Sequence, residues 1–308
     1  MRNICFLGIG LMGEPMVARL LDAGFSLTLW NRTVEKAQPF SGRARIASSP
    51  AEAVAEADVV ITMLENGTAV EQVLYQSNAI ARLSPGALVI DMSSVEPATA
   101  RRHGARVAEL GGCYLDAPVS GGTRGAQAGT LSIMAGGNDQ DFDEATAVFQ
   151  AMGRATLIGP VGSGQLAKLA NQTIVGITIG AVSEALLLAA KGGARPEKVR
   201  EALLGGFAGS KILEQHGERM LARNFEPGAP ARIQLKDLGM ILDEARTEGL
   251  TLPLSQRVFE QYRALLASGH GEVDHSGLLL ELERLNGVQL NPDAADHFSP
   301  TDLDKETH

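Results

Sequence analysis

An α/β fold, with a doubly wound parallel sheet in the first half of the chain and an all-helical second half, is what this sequence predicts. Three observations carry the reading. Short apolar runs alternate with amphipathic stretches through roughly the first 160 residues, a glycine-rich turn ends the first of those runs, and only long helical patterns follow residue 163. The length of 308 residues suits two domains and a sizeable core.

Taken in order, residues 3–9, 26–30, 59–63, 88–92 and 113–115 are apolar runs each followed by a turn or a helical pattern, and 131–135 and 155–158 add two further strand candidates. Strands separated by helices lie parallel, because a parallel pair needs a long crossover. Gly159-Pro160-Val161-Gly162-Ser163-Gly164 breaks that pattern, and helices are expected over 165–191, 196–205, 210–222, 233–248 and 253–268. The predicted division is 1–163, 164–290 and a flexible tail over 291–308, which is acidic and short of large apolar groups. The uncharged stretch 169–183 is shorter than the ~20 residues of a bilayer span. It also holds Asn171, Gln172, Thr173 and Thr178, so it reads as a buried helix of a soluble protein.

Composition narrows the function by exclusion. A net charge of −9 without any basic run makes nucleic acid and acidic membrane surfaces poor partners, since both demand a positive patch. Cys5 and Cys113 sit in apolar runs without metal-like spacing, which suits a reduced, cytoplasmic setting. The six histidines show no HExxH pattern; His270 and His275 are five apart in an expected loop, and no metal site is predicted. No G-x-S-x-G or paired-carboxylate arrangement suggests hydrolysis.

The first apolar run ends in Gly8-Ile9-Gly10-Leu11-Met12-Gly13, and Met16, Val17, Leu20 and Leu21 follow at helical spacing. In a G-x-G-x-x-G turn the first glycine allows the bend and the second admits a pyrophosphate to the backbone. The third lets the helix pack close to the strand, with the helix N-terminus favouring negative charge. Strand, turn and helix occur here in the order that gives the motif meaning, so a Rossmann domain binding a dinucleotide is expected. After the second strand, an NAD site usually carries an acidic residue for the ribose hydroxyls. This chain has Asn31-Arg32-Thr33 instead: Arg32 can pair with a 2′-phosphate while Asn31 and Thr33 donate hydrogen bonds, so NADP is expected in preference to NAD.

Two further segments carry chemistry. Ser120-Gly121-Gly122, after the run 113–115, offers a hydroxyl and two unobstructed N–H groups to a small carboxylate, though an ordinary glycine turn reads equally well. Lys168, Asn171 and Gln172 stand at i, i+3 and i+4 on one face of a helix that is apolar on nearly every side. Burial there would lower the lysine's pKa and make it a general acid/base. A lysine snorkelling from the helix's first turn remains the alternative. Lys236 lies in another helical run, where pattern alone favours a solvated charge pair with Asp237.

Residues 8–16, 116–122 with Gly129-Thr130-Leu131, 162–172 and Lys236-Asp237-Leu238 together resemble the β-hydroxyacid dehydrogenase family, in order and to about residue 290. Residues 168–175, 205–210, 269–271 and 274–276 look most like the members that reduce tartronate semialdehyde. The resemblance implies a Rossmann domain, an all-α domain built on a long interdomain helix, and a homodimer or homotetramer. It implies Lys168 as general acid/base, Ser120, Gly121, Gly122 and Asn171 as substrate ligands, and Met63, Leu64, Ser94 and Lys236 near the cofactor. Asn31-Arg32-Thr33 departs from the NAD-type members and is similar to NADPH-dependent reductases of glyoxylate and succinic semialdehyde. Those, 3-hydroxyisobutyrate dehydrogenase, an imine reductase and an idle NADP-binding module are the alternatives to a semialdehyde reductase.

Overall fold

The structure, a computed structural model, describes residues 3–298. It comprises two compact units, Met1–Lys168 and Leu169–His308. In the first, β1 (Asn3–Leu7), β2 (Ser26–Trp30), β3 (Arg45–Ile46), β4 (Val59–Thr62), β5 (Leu88–Asp91), β6 (Cys113–Asp116), β7 (Val119–Ser120), β8 (Leu131–Gly136) and β9 (Gly153–Gly159) form one sheet. The order is β3-β2-β1-β4-β5-β6-β8-β7, with β9 also paired to β8. Strands β1 to β6 are parallel, as is β8 with β9, but β8 runs antiparallel to β6 and β7, so the sheet is mixed rather than wholly parallel. The reason is local. β6 enters β7 and the short α5 (Gly122–Ala128), and this tight return brings the chain back beside its own strand without a long crossover.

The remaining helices of this unit are α1 (Gly13–Asp22), α2 (Pro50–Val54), α3 (Gly67–Val70), α4 (Pro97–Glu109) and α6 (Asp139–Met152). They cover the sheet with two apolar layers. Met16, Val17, Leu20, Val148 and Phe149 pack with Ile4, Phe6, Leu29 and Ile61; Val70, Leu74 and Val107 pack with Cys5, Leu7, Val60 and Val89. The alternation of Ile4 and Phe6 with Cys5 and Leu7 is the two-residue period of a strand buried on both faces.

The long helix α7 (Ser163–Lys191) begins in the first unit and continues into the second. Its first turns go with the sheet because Asp116 and Val119 bind them, as described below, so the division falls after Lys168 rather than at residue 163. The second unit contains the rest of α7 with α8 (Pro196–Leu204), α9 (Lys211–Leu221), α10 (Ala231–Thr247), α11 (Pro253–Ala267) and α12 (Leu278–Asn286). Ile179, Val182 and Leu186 of α7 join Met220, Leu238, Ile241, Tyr262, Leu265 and Leu279 in its core. At 29 residues α7 is long and apolar enough to cross a membrane by length and composition. It is less buried than expected: Ile174 is 67% and Leu188 76% exposed in the single chain.

The tail expected from Asn291 is not loose over its described part. Phe225 N donates to His297 O and His297 N to Arg223 O, while Asp296 and Glu283 both bind the Arg223 guanidinium, which is 1% exposed. A buried arginine demands paired carboxylates, and one of them comes from this segment. Residues 299–308 lie outside the described residues.

Candidate active site

The phosphate turn has the geometry its glycines require. Gly8 adopts φ +105, and a Cβ there would stand 2.4 Å from Met63 O; a Cβ on Gly13 would stand 2.0 Å from Gly8 O. α1 therefore lies against β1 at a distance only glycine permits. A Cβ on Gly10 would meet nothing within 4 Å, leaving the backbone open, and no side chain caps α1. An uncapped helix start beside an open glycine suits a pyrophosphate, so the residues present fit a dinucleotide. Leu11 is exposed and Met12 half-buried beside the turn.

Asn31 makes two hydrogen bonds within the chain. Its Oδ1 accepts from Ile9 N at 2.7 Å and its Nδ2 donates to Thr33 O at 2.8 Å, so it braces the phosphate turn against the loop after β2. Arg32 and Thr33 are exposed on that loop. Met63 N donates to Leu7 O, Leu64 N donates to Ser93 Oγ at 2.9 Å, and half-buried Ser94 follows in the same stretch after β5.

Lys168 and the Ser120 turn come together. Lys168 is half-buried and its Nζ donates to Val119 O at 2.8 Å, one residue before Ser120. Gly121 and Gly122 have φ of +136 and +60 and open α5, with nothing within 4 Å of a Cβ built on Gly122. An ammonium group, a hydroxyl and two glycine amides thus share one neighbourhood at the end of the sheet.

What holds them there was not legible in the motifs. Asp116, at the end of β6 and with no exposed surface, accepts from Gly162 N at 2.7 Å and Gln165 N at 2.9 Å, tying the first turn of α7 to the strand that leads into Ser120. Burial pushes its pKa up to about 7, partly offset by those two amides. Gly136 and Gly164 make room for it, since a Cβ on either would fall within 3 Å of its carboxylate oxygens. Gln165, also fully buried, donates to Ser93 O and accepts from Val95 N, so α7 is also tied to the loop carrying Ser94.

In the second unit, Asn171 Nδ2 donates to Gln172 Oε1 at 2.9 Å, Gln172 Nε2 donates to Asp237 Oδ2 at 2.6 Å, and Lys236 Nζ pairs with Asp237 Oδ1 at 3.1 Å. The Lys236–Asp237 pair is not the solvated one expected, because Asp237 is 1% exposed. Burial of that carboxylate requires the donors Gln172 and Lys236.

Two family models cover the chain. The NAD-binding domain of 6-phosphogluconate dehydrogenase matches residues 3–162, and the NAD-binding model of NADP-dependent 3-hydroxyisobutyrate dehydrogenase matches residues 162–282. The 2-hydroxy-3-oxopropionate reductase of Escherichia coli is 43% identical over 288 residues, 92% of this chain and 98% of the relative. An NAD-dependent L-serine dehydrogenase of Pseudomonas aeruginosa is 34% identical over 286 residues, 90% of this chain and 96% of the relative. Among solved structures, Mycobacterium tuberculosis 3-hydroxyisobutyrate dehydrogenase with L-serine superposes with a TM-score of 0.81 at 32% identity, covering 92% of this chain and 99% of that one.

Proposed function

The chain belongs to the NAD(P)-dependent β-hydroxyacid dehydrogenase family and is an oxidoreductase; from that premise we propose that it interconverts a small carboxylate-bearing aldehyde of the 2-hydroxy-3-oxopropionate type with its hydroxy acid. The observation that carries the reading is the placement of Lys168 Nζ 2.8 Å from Val119 O, beside the Ser120-Gly121-Gly122 turn. A carboxylate received by the Ser120 hydroxyl and the two glycine amides would hold its carbonyl next to the ammonium group.

The nicotinamide, when bound, supplies the hydride for the carbonyl carbon. Lys168 gives its proton to the carbonyl oxygen in reduction and takes it from the hydroxyl in oxidation. Val119 O accepts one ammonium hydrogen and so sets the direction of the side chain. Positioning of this kind is worth several kcal/mol of barrier. Arg32 favours NADP over NAD by pairing with the 2′-phosphate. The exposed Ile174 and Leu188 are in keeping with a homo-oligomer.

The test is a panel of aldehydes assayed with NADPH and NADH: 2-hydroxy-3-oxopropionate, glyoxylate, succinic semialdehyde, and an uncharged aldehyde of matching size. The highest kcat/KM is expected for 2-hydroxy-3-oxopropionate with NADPH. Uncharged aldehydes reacting as fast as the acids would overturn the carboxylate assignment.

A further inference from the structure

The second unit brings together two histidines that take no part in the proposed reaction. His216 lies on α9, and His275 in the turn His275–Gly277 that precedes α12. Their Nε2 atoms are 3.2 Å apart, and the rings meet edge-on at 85° with centroids 4.5 Å apart. The two residues are 59 positions apart in sequence, so no short spacing motif links them.

We propose that His216 and His275 form a binding site for a divalent transition ion of the Zn2+ class, with Asp274 orienting His216 from behind. An ion placed at the usual Zn–N distance, about 2.0–2.1 Å from each nitrogen, would subtend an angle of about 100° across the 3.2 Å gap, close to tetrahedral. Asp274 Oδ1 lies 3.5 Å from His216 Nδ1. At that distance the contact is electrostatic rather than a formed hydrogen bond, but a carboxylate on the Nδ1 side favours hydrogen there and leaves the Nε2 lone pair toward His275, as behind many metal-bound imidazoles.

The surroundings are already in place for such a site. Asp274 is 1% exposed and accepts from Gly228 N, Ala229 N, Ser276 N and Ser276 Oγ. The His275 backbone is held from both sides, since its N–H donates to Ala229 O and its carbonyl accepts from Tyr262 Oη at 2.7 Å. Arg219 Nε, 3.5 Å from Asp274 Oδ1, balances the carboxylate charge. Two imidazoles then remain as the donor set, which selects borderline ions such as Zn2+, Co2+, Ni2+ or Cu2+. Mg2+ and Ca2+ prefer oxygen cages. Solvent supplies the other positions, because the His216 side chain keeps 16% of its surface exposed. An ion there would join α9 to the turn before α12.

The experiment uses the full chain without a purification tag, stripped with chelator and titrated with Zn2+ and Co2+. One equivalent per chain at micromolar ion is expected, with a rise in Tm and visible Co2+ bands, and no response to Mg2+. His216→Gln and His275→Gln should each weaken binding at least tenfold, while His270→Gln should not. Zn2+ should also protect the His216 and His275 peptides of the unaltered chain from diethyl pyrocarbonate, read by mass spectrometry, which needs no variant to fold. Absence of saturable binding, binding unchanged in both variants, or equal modification with and without Zn2+ would overturn the proposal and leave an inter-histidine hydrogen bond.

Discussion

At Asp116 a carboxylate without exposed surface accepts two amides of the α7 start, and burial lifts its pKa to about 7. An unfolded aspartate titrates near 3.9. Between about pH 4 and 7 the folded chain therefore holds a proton that the unfolded chain has lost, and stability falls as pH rises through that window. The slope from this group is at most ~1.4 kcal/mol per pH unit, and it flattens above 7. Asp116→Asn is neutral throughout, so its unfolding free energy should depend less on pH between 4.5 and 7.5 than that of the unaltered chain. Equal slopes in urea unfolding would show that Asp116 does not titrate there. At Arg32 the outcome is read in coenzyme kinetics: Arg32→Ala should raise KM for NADPH about tenfold, the loss of one charge-assisted contact, and leave NADH nearly unchanged. An equal effect on both coenzymes would remove Arg32 from phosphate recognition. The glycine turn and the approach of Lys168 to the Ser120 turn were legible because each stands in a local pattern. Asp116 and Gln165 were not, since their bond closes across 49 residues.

Elements with a strong period were legible nearly to the residue. Residues 26–30 form β2 as expected, and the patterns at 196–205 and 253–268 became Pro196–Leu204 and Pro253–Ala267, each with proline in its first turn, where the missing N–H costs nothing. The elements that escaped have physical reasons. β3 and β7 are two residues long, too short for any alternation to show. α12 hides its amphipathicity, because Glu281 and Glu283 are buried with Arg284 and Arg223 as partners and break the apolar stripe. The contact of β1 with α1 yields a prediction at this scale. Gly13→Ala would place a Cβ 2.0 Å from Gly8 O, backbone against helix, so α1 must shift. NADPH affinity should drop at least tenfold, measured by fluorescence titration. A variant binding normally would mean that the turn does not form the dinucleotide site.

Across the whole molecule, the two units are stabilised differently. The first is a sheet between two apolar layers; the second is a helical core strapped by its own C-terminal segment through Arg223, Glu283 and Asp296. Composition made that segment look free, because the apolar and charged partners it meets lie far away in sequence. Asp296→Ala should lower stability by about 1–3 kcal/mol, the usual worth of a hydrogen bond to a charged group, and the loss should appear in the unfolding of the helical unit. The most direct test of the account is Lys168→Met, which keeps length and apolar packing but removes the proton. With 2-hydroxy-3-oxopropionate and NADPH, kcat should fall by roughly 10² to 10⁴ while NADPH affinity is unchanged. A folded Lys168→Met chain that binds NADPH and keeps near-normal kcat would contradict the assignment of Lys168 as the proton donor.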